Sequence, residues 1–245
     1  MHSIESVANP SVEPGVEREK RSYRPSAFAL RWFDAPHRLA PRILNKLHST
    51  WLRFAYPFAS LGARVSIHYS CDVRNPWLIQ IGNRVIVDKD VWLHPVLPEE
   101  EKSGPTIILD DGCLIARRCQ ISARNCVHIE RDVLLSASVL ITDNSHEYEG
   151  ADTRIKDQGF MPGGRVRIGE GCWIGHGAAI VCTQGELVLG RNCVVSANAV
   201  VTRSFPPFSV IAGNPARVVR QYDPVKKVWG MGSTRGMSEI GTKQV

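Results

Sequence analysis

Apolar residues return every six positions along much of the chain. Hexads begin at Leu109, Ile115 and Ile121, and the pattern starts again at Ile129 and Ile168. Because six is a multiple of two, the leading aliphatic residues all fall on one side of an extended chain. On a helix, positions six apart would rotate by about 240° and scatter around the cylinder. The spacing therefore predicts short strands.

Turn-forming residues fill the middle of the hexads. Gly, Asp, Asn and Ser stand at the second to fourth places, as in Asp110-Asp111-Gly112, and they favour turns. A strand of this length cannot bury its apolar face alone, so successive coils must stack into a solenoid. We predict a parallel β-solenoid over residues 63–220, interrupted by two loops, Val96–Thr106 with its three glutamates at 99–101, and Glu147–Arg165. Insertions that project from a solenoid usually lie on a binding face.

The cysteines fit this pattern better than a metal site or a disulfide framework. Cys113, Cys119, Cys172 and Cys193 take the fifth place of a hexad, which suits a small apolar side chain inside the coil. The short clustered spacings of metal ligands are missing, so we expect no metal. The cysteine count is odd and no apolar signal-type segment begins the chain. We therefore expect a reducing, cytoplasmic location.

The segments outside the repeat differ in character. Residues 1–25 are polar and are predicted to be disordered. Residues 26–62 are predicted to form a helical cap over the open end of the solenoid, with Pro36 and Pro41 breaking the segment into short pieces. Residues 221–245, rich in Gly and polar residues, are expected to form a loose tail.

An excess of positive charge lies near the N-terminus of the chain. Residues 16–56 hold nine basic and three acidic residues, which equals the net charge of +6 for the whole chain. The charge thus belongs to one appendage, and we expect no nucleic-acid partner. Besides a simple cap, a basic amphipathic helix on an anionic membrane surface is the alternative interpretation of residues 26–62.

Two C-terminal motifs carry a resemblance to a known family. They are Cys172-Trp173-Ile174-Gly175 and the stretch from Phe205 to Val219, which contains Ala212-Gly213-Asn214-Pro215-Ala216. The chain resembles the hexapeptide-repeat acyltransferases and is similar to galactoside, maltose and polysaccharide O-acetyltransferases. The resemblance implies a left-handed parallel β-helix, a homotrimer with sites between chains, and acetyl-CoA as donor. The segment Arg74–Gly82 resembles acetyltransferases of polysaccharide gene clusters and favours a surface glycan as acceptor.

His146 is the candidate general base. It ends the hexad that begins at Ile141 and stands at the mouth of the second loop, where the related sugar O-acetyltransferases carry their catalytic histidine. An imidazole that titrates near neutrality can take the proton of a sugar hydroxyl as it attacks a thioester. Asp143, Glu147 or a backbone carbonyl could fix its tautomer. No nucleophile motif is present, which favours direct transfer over an acyl-enzyme.

The same resemblance implies the remaining site residues. Asp88 falls where the family contacts the acceptor sugar, although a simple turn residue explains it as well. Arg203, Arg217 and Arg220 can meet the phosphates of the donor. The full set of implied acetyl-CoA contacts is Trp173, His176, Ala197, Thr202, Arg203, Arg217 and Arg220.

Other functions stay open on the sequence alone. Within acyl transfer these are N-acetylation of an amino sugar and acetylation of a xenobiotic. A γ-type carbonic anhydrase would need closely spaced histidines, but the four histidines of the repeat are separated by 34, 18 and 30 positions (His94, His128, His146 and His176). A non-catalytic β-solenoid scaffold would need neither His146 nor the C-terminal arginines.

Overall fold

The computed structural model describes residues 35–96 and 104–231. The prediction of disorder for residues 1–25 and the three glutamates at 99–101 lie outside the described residues. Within these ranges the chain forms one α-helix, α1 (Ala35–Ala55), two short 3₁₀ helices (Pro76–Leu78 and Ile155–Asp157) and 21 strands. No described helix is long and apolar enough to cross a bilayer.

The strands form three sheets, which are the three faces of the solenoid. Face A contains β1 (Ser60–Leu61), β4 (Ile79–Ile81), β7 (Ile107–Leu109), β10 (Cys126–Ile129), β13 (Gly163–Ile168) and β16 (Gln184–Leu189). Face B contains β2 (Ser66–Ile67), β5 (Ile86–Val87), β8 (Leu114–Ile115), β11 (Leu134–Leu135), β14 (Trp173–Ile174), β17 (Val194–Val195), β19 (Ser209–Ala212), β20 (Arg217–Asp223) and β21 (Val228–Met231). Face C contains β3 (Asp72–Val73), β6 (Trp92–Pro95), β9 (Gln120–Ala123), β12 (Leu140–Thr142), β15 (Ala179–Val181) and β18 (Val200–Val201).

The residues that lead the hexads form the core. Every strand from β1 to β19 pairs in parallel with the equivalent strand of an adjacent coil, and leaders such as Ile115, Leu135 and Ile174 stack in register. These three side chains are fully buried, as are the hexad cysteines. Burial raises the pKa of the Cys113 and Cys119 thiols to about 11. The predicted inward position of the hexad cysteines is therefore confirmed.

The chain turns from face to face through residues in the left-handed region. At the corner between faces B and C, Asp90, Arg118, Ser138, Gly177 and Asn198 have φ values of 57° to 68°. Each takes the equivalent place in successive coils, because a residue with positive φ lets the four-residue corner turn the chain from one face to the next.

The helix α1 closes the first coil. Its residues from Pro41 onward belong with the solenoid to the unit formed by residues 41–245. Leu52 is buried in the core, and the Ser49 hydroxyl donates to the carbonyl of Ile67 at 3.3 Å and accepts from its N–H at 3.0 Å. The guanidinium of Arg53 donates to the carbonyl of Leu61 at 3.3 Å.

Two sequence expectations about the ends of the repeat are wrong. Pro36 and Pro41 do not break α1, which runs through both. Pro36 lies in the first turn, where its missing N–H has no intrahelical partner, and Pro41 removes only one hydrogen bond from a helix of 21 residues. Residues 221–231 are not a loose tail, because β20 turns back antiparallel to β19 and β21 pairs with β20.

Candidate active site

The second loop leaves the solenoid between β12 and β13 without disturbing the stack. Ile129 of the coil before it still pairs with Ile168 of the coil after it. The loop is held together by its own hydrogen bonds, in which the Gln158 side chain accepts from the N–H of Gly150 and donates to the carbonyls of Gly150 and Thr153 at 2.6 to 2.9 Å. The loop is therefore an ordered extension of an otherwise regular coil.

His146 lies exposed at the base of this loop. Its backbone forms a bridge with Phe160, and the two rings stack with their centroids 4.7 Å apart. On either side, the N–H of Glu147 donates to the carbonyl of Gly159 and the N–H of Met161 donates to that of Ser145, at 3.1 and 2.9 Å. Phe160 was not found from the sequence, because it falls in the non-repeating loop, where no periodicity marks it.

Asp143 supports the turn beneath the loop. Its carboxylate is fully buried and accepts the backbone N–H groups of Arg124, Asn125 and Cys126 at 2.6, 2.8 and 2.7 Å. Asp143 is one of the residues that the sequence offers for fixing the tautomer of His146. Its carboxylate instead binds these three backbone N–H groups.

Glu147, the other acidic candidate, uses one carboxylate oxygen to accept the N–H groups of Tyr148 and Glu149. Among the described residues, no side chain hydrogen-bonds to the imidazole of His146. The contact that orients the ring is its stacking on Phe160.

Several residues expected to contact the donor gather on face B and at its corner with face C. Trp173 is half-exposed on β14, and its indole N–H donates to the Ser136 hydroxyl at 2.9 Å. His176 and Ala197 are exposed in consecutive coils at the B–C corner, where the N–H of Asn198 donates to the carbonyl of His176 at 2.9 Å.

Two of the arginines join this group at the end of the solenoid. Arg217 pairs with Ala212 and Arg220 with Val210, so both follow the last parallel strand. The guanidinium of Arg220 lies 5.8 Å from the ring centre of Trp229, and an Nη of Arg217 donates to the carbonyl of Ala216 at 2.8 Å. Neither arginine pairs with a carboxylate among the described residues.

Thr202 and Arg203 lie elsewhere. They follow β18 at the corner between faces C and A, the corner at which the loop of His146 also leaves the solenoid. The guanidinium of Arg203 is 5.3 Å from the ring centre of Phe205. Asp88 lies at the B–C corner of an early coil, half-buried, with one carboxylate oxygen accepting the N–H of Lys89 at 2.8 Å. The turn role of Asp88 is thus visible in the structure.

Face C separates the two groups of predicted residues within one chain. His146, Thr202 and Arg203 lie at its C–A corner, whereas the others lie at its B–C corner or on face B. Five or six residues at about 3.3 Å each place the two corners roughly 15–20 Å apart. One chain therefore does not bring all the predicted residues together.

Comparisons with known proteins agree with this architecture. The chain is 27% identical over 169 residues to WbbJ of Escherichia coli K12, named as a candidate lipopolysaccharide biosynthesis O-acetyl transferase, and the match covers 66% of the chain and 82% of WbbJ. It is 33% identical over 110 residues to Rv3034c of Mycobacterium tuberculosis, named as a candidate acetyltransferase, but this match covers 45% of the chain and only 35% of that protein. No protein-family profile matches.

A solved structure has the same fold. The N-acyltransferase AntD from Bacillus cereus, crystallised with dTDP and 3-hydroxybutyryl-CoA, superposes with a TM-score of 0.58 at 18% identity, and the superposition covers 76% of this chain and 89% of AntD. The predicted left-handed parallel β-helix is confirmed, as is the predicted resemblance to the hexapeptide-repeat acyltransferases.

Proposed function

We propose that this relative of the hexapeptide-repeat acyltransferases transfers an acetyl group from acetyl-CoA to a sugar hydroxyl in the biosynthesis of a surface polysaccharide or glycan. The relationship to WbbJ supports the reaction class. The observation that carries the proposal is His146, an exposed imidazole stacked on Phe160 at the base of an ordered loop. A solenoid that served only as a scaffold would have no use for that arrangement.

The chemistry follows from this imidazole. One ring nitrogen of His146 takes the proton of the acceptor hydroxyl while the oxygen forms a bond to the thioester carbonyl carbon. The carbon–sulfur bond then breaks, and the imidazolium gives its proton to the departing thiolate. Acetyl moves directly from sulfur to oxygen, so no covalent enzyme intermediate is needed. Stacking on Phe160 limits rotation of the ring.

The C-terminal arginines suit the donor. Arg203, Arg217 and Arg220 are exposed, and none has a carboxylate partner among the described residues. Guanidinium groups bind phosphate oxygens in a bidentate manner, and acetyl-CoA carries three phosphates. Trp173, His176, Ala197 and Thr202 would complete the donor site. Asp88, which accepts one N–H, keeps a carboxylate oxygen for a sugar hydroxyl.

A homotrimer would unite the two groups of residues. Face B carries an outward row of apolar side chains in direct register, Ile86, Leu114, Leu134 and Trp173, each 37–49% exposed. A neighbouring copy packed on this row would bring the C–A corner of one chain, with His146, toward the B–C corner of another. In a closed threefold ring, each of the three copies forms the same contacts with its neighbours.

A cytoplasmic location completes the proposal. All seven cysteines are free thiols, and five are buried, which suits a reducing compartment. Acetyl-CoA is available there, and a soluble or lipid-linked sugar can be modified before export.

The decisive experiment is product analysis with purified protein. Acetyl-CoA is incubated with a panel of free and nucleotide-linked sugars, including amino sugars, and free CoA and products are separated by chromatography. We expect sugar-dependent CoA release and an acetyl product that mild alkali removes, because esters hydrolyse under conditions that leave amides intact. If products form only from amino sugars and are stable to alkali, the reaction is N-acetylation and the proposal of O-acetylation is wrong.

The role of His146 is tested by substitution. His146→Ala should lower kcat by about 10²–10⁴-fold, the range for loss of a general base, while the melting temperature stays unchanged because the side chain is exposed. His68→Ala, which removes an imidazole from the first coil, is the matched control and should retain full activity. Wild-type turnover in His146→Ala would exclude this residue as the base.

A further inference from the structure

One side of α1 is apolar and is largely exposed to solvent. Leu44, Leu47, Trp51 and Phe54 recur at spacings of three and four, so they share a face of the helix. These four side chains, the apolar face of α1, are 52%, 63%, 55% and 86% exposed. With His48 and Tyr69, three of them line a shallow groove of about 410 Å³. The cap function of α1 uses Leu52 and Ser49 and does not account for this second face.

A cluster of positive charge lies beside the apolar face. Lys46, Arg53 and Arg64 line a cavity of about 360 Å³ between α1 and the first coil, the basic cavity. Lys46 and Arg64 have no carboxylate partner among the described residues. The surrounding sequence is free of acids, since no Asp or Glu occurs between positions 35 and 71, whereas five Lys or Arg do.

We infer that this end of the protein binds the surface of an anionic phospholipid membrane. The apolar face of α1 would enter the region between headgroups and acyl chains, where Trp and Leu are favoured, and the basic cavity would take lipid phosphate. Charge favours an anionic bilayer over a second protein copy as the partner of this surface. A second copy would place two acid-free, cationic surfaces against each other, whereas an anionic bilayer neutralises them. The row on face B already offers an apolar surface for association between copies.

The geometry predicts how the protein sits on the membrane. Ser49 and Arg53 of the helix contact the first coil, so the coils would extend away from the bilayer and His146 would remain in the aqueous phase. Binding to vesicles does not depend on the proposed acetyl transfer, so the two proposals can fail independently.

The test is co-sedimentation of the full chain with vesicles. Binding to phosphatidylcholine mixed with phosphatidylglycerol should exceed binding to phosphatidylcholine alone and should weaken as salt is raised. Leu47→Ser should weaken binding about tenfold by removing buried apolar area, and Lys46→Glu should do so by reversing a charge near the phosphates. Val225→Ser and Lys226→Glu, at exposed positions near the last hairpin, are the matched controls and should bind as the wild type does.

Three results would overturn the inference. They are failure of the wild type to bind vesicles that contain phosphatidylglycerol, undiminished binding by Leu47→Ser, and a change in oligomeric state of Leu47→Ser with vesicle binding retained. The last would show that another copy covers the apolar face. Melting curves should be unchanged in both helix variants, because neither side chain packs on the core.

Discussion

At the scale of single residues, Asp143 shows what the hexad pattern can and cannot reveal. Alternation along an extended strand places Asp143 inward, two positions after the core residue Ile141. An inward carboxylate needs several donors, and here three backbone N–H groups supply them. The alternation was visible in the sequence, but the donors come from the preceding coil, some 18 positions earlier. Only the stacking of coils shows which groups meet.

Asp143 should be essential for stability. Asp143→Ala leaves three buried N–H groups without their acceptor and should lower the free energy of unfolding by roughly 2–4 kcal/mol. Activity should fall as well, because the segment leading to His146 loses its anchor. Glu147→Ala, from the same loop, removes hydrogen bonds only to exposed N–H groups and should cost less than about 0.5 kcal/mol. Urea denaturation of both variants measures the difference, and equal midpoints would contradict the assignment.

Buried thiols should resist modification. Burial raises the pKa of Cys71, Cys113 and Cys119 to about 11. At pH 8 only about a thousandth of each is thiolate, against roughly a quarter for an unperturbed cysteine. We therefore expect these three to react with a disulfide reagent far more slowly than the same residues in the unfolded chain, where all seven cysteines become reactive. Rapid reaction of all seven in the native protein would disprove their burial.

At the scale of elements, the strands and the places of the corners were predictable, but the corner residue that takes a positive φ was not. The six-residue period was enough to predict the strands, because six is a multiple of the two-residue alternation of an extended chain. The corner conformation has no such signal, since Asp90, Arg118 and Gly177 occupy equivalent places with positive φ. Glycine and Asp tolerate this conformation, whereas stacking of the coils imposes it on Arg118, which does not favour it. The hairpin of β20 and β21 was not predicted, because its strands pair antiparallel and lie outside the six-residue repeat.

The corner at Arg118 gives a direct test of this imposed conformation. Its φ of 58° costs a side chain about 1–2 kcal/mol relative to glycine. Arg117, its exposed neighbour, has no positive φ. Arg118→Gly should therefore be more stable than Arg117→Gly by about 1–2 kcal/mol, since only the first substitution relieves strain. Thermal melting of the pair compares them, and the reverse order would refute the argument.

The candidate site was predictable in part for a similar reason. His146 was singled out because it ends a hexad at the mouth of a loop, where the sugar O-acetyltransferases that the chain resembles carry their catalytic histidine. Phe160 lies 14 residues further along in irregular chain, and only the folded loop brings it against the imidazole. The division of the remaining residues between two corners also depends on which face each strand joins.

At the scale of the whole molecule, the placement of these residues argues for assembly. Under the proposed function, the group at the C–A corner and the group near the B–C corner each form only part of the site within one chain. The apolar row on face B is the surface best suited to bring copies together, because its side chains are in register over successive strands. Oligomerisation and catalysis should therefore be lost together.

Leu134→Asp tests this coupling. The side chain is 39% exposed in the middle of the row, so the fold should tolerate aspartate, but a charge buried between copies should break the proposed trimer. Light scattering should show monomers, circular dichroism an intact fold, and turnover a loss of at least about a hundredfold. Val225→Asp, 89% exposed near the last hairpin, is the control. An active monomer would disprove the shared site.

The two closed ends of the coil stack have a further consequence. A stack of parallel strands presents unpaired N–H and carbonyl groups at each end, and the two ends of identical copies could pair head to tail without limit. Ser49 occupies the backbone groups of Ile67 at one end, and at the other the antiparallel turn of β20 reverses strand direction, so the edges no longer match. On face B, this hydroxyl and this hairpin should therefore hinder head-to-tail pairing between identical copies.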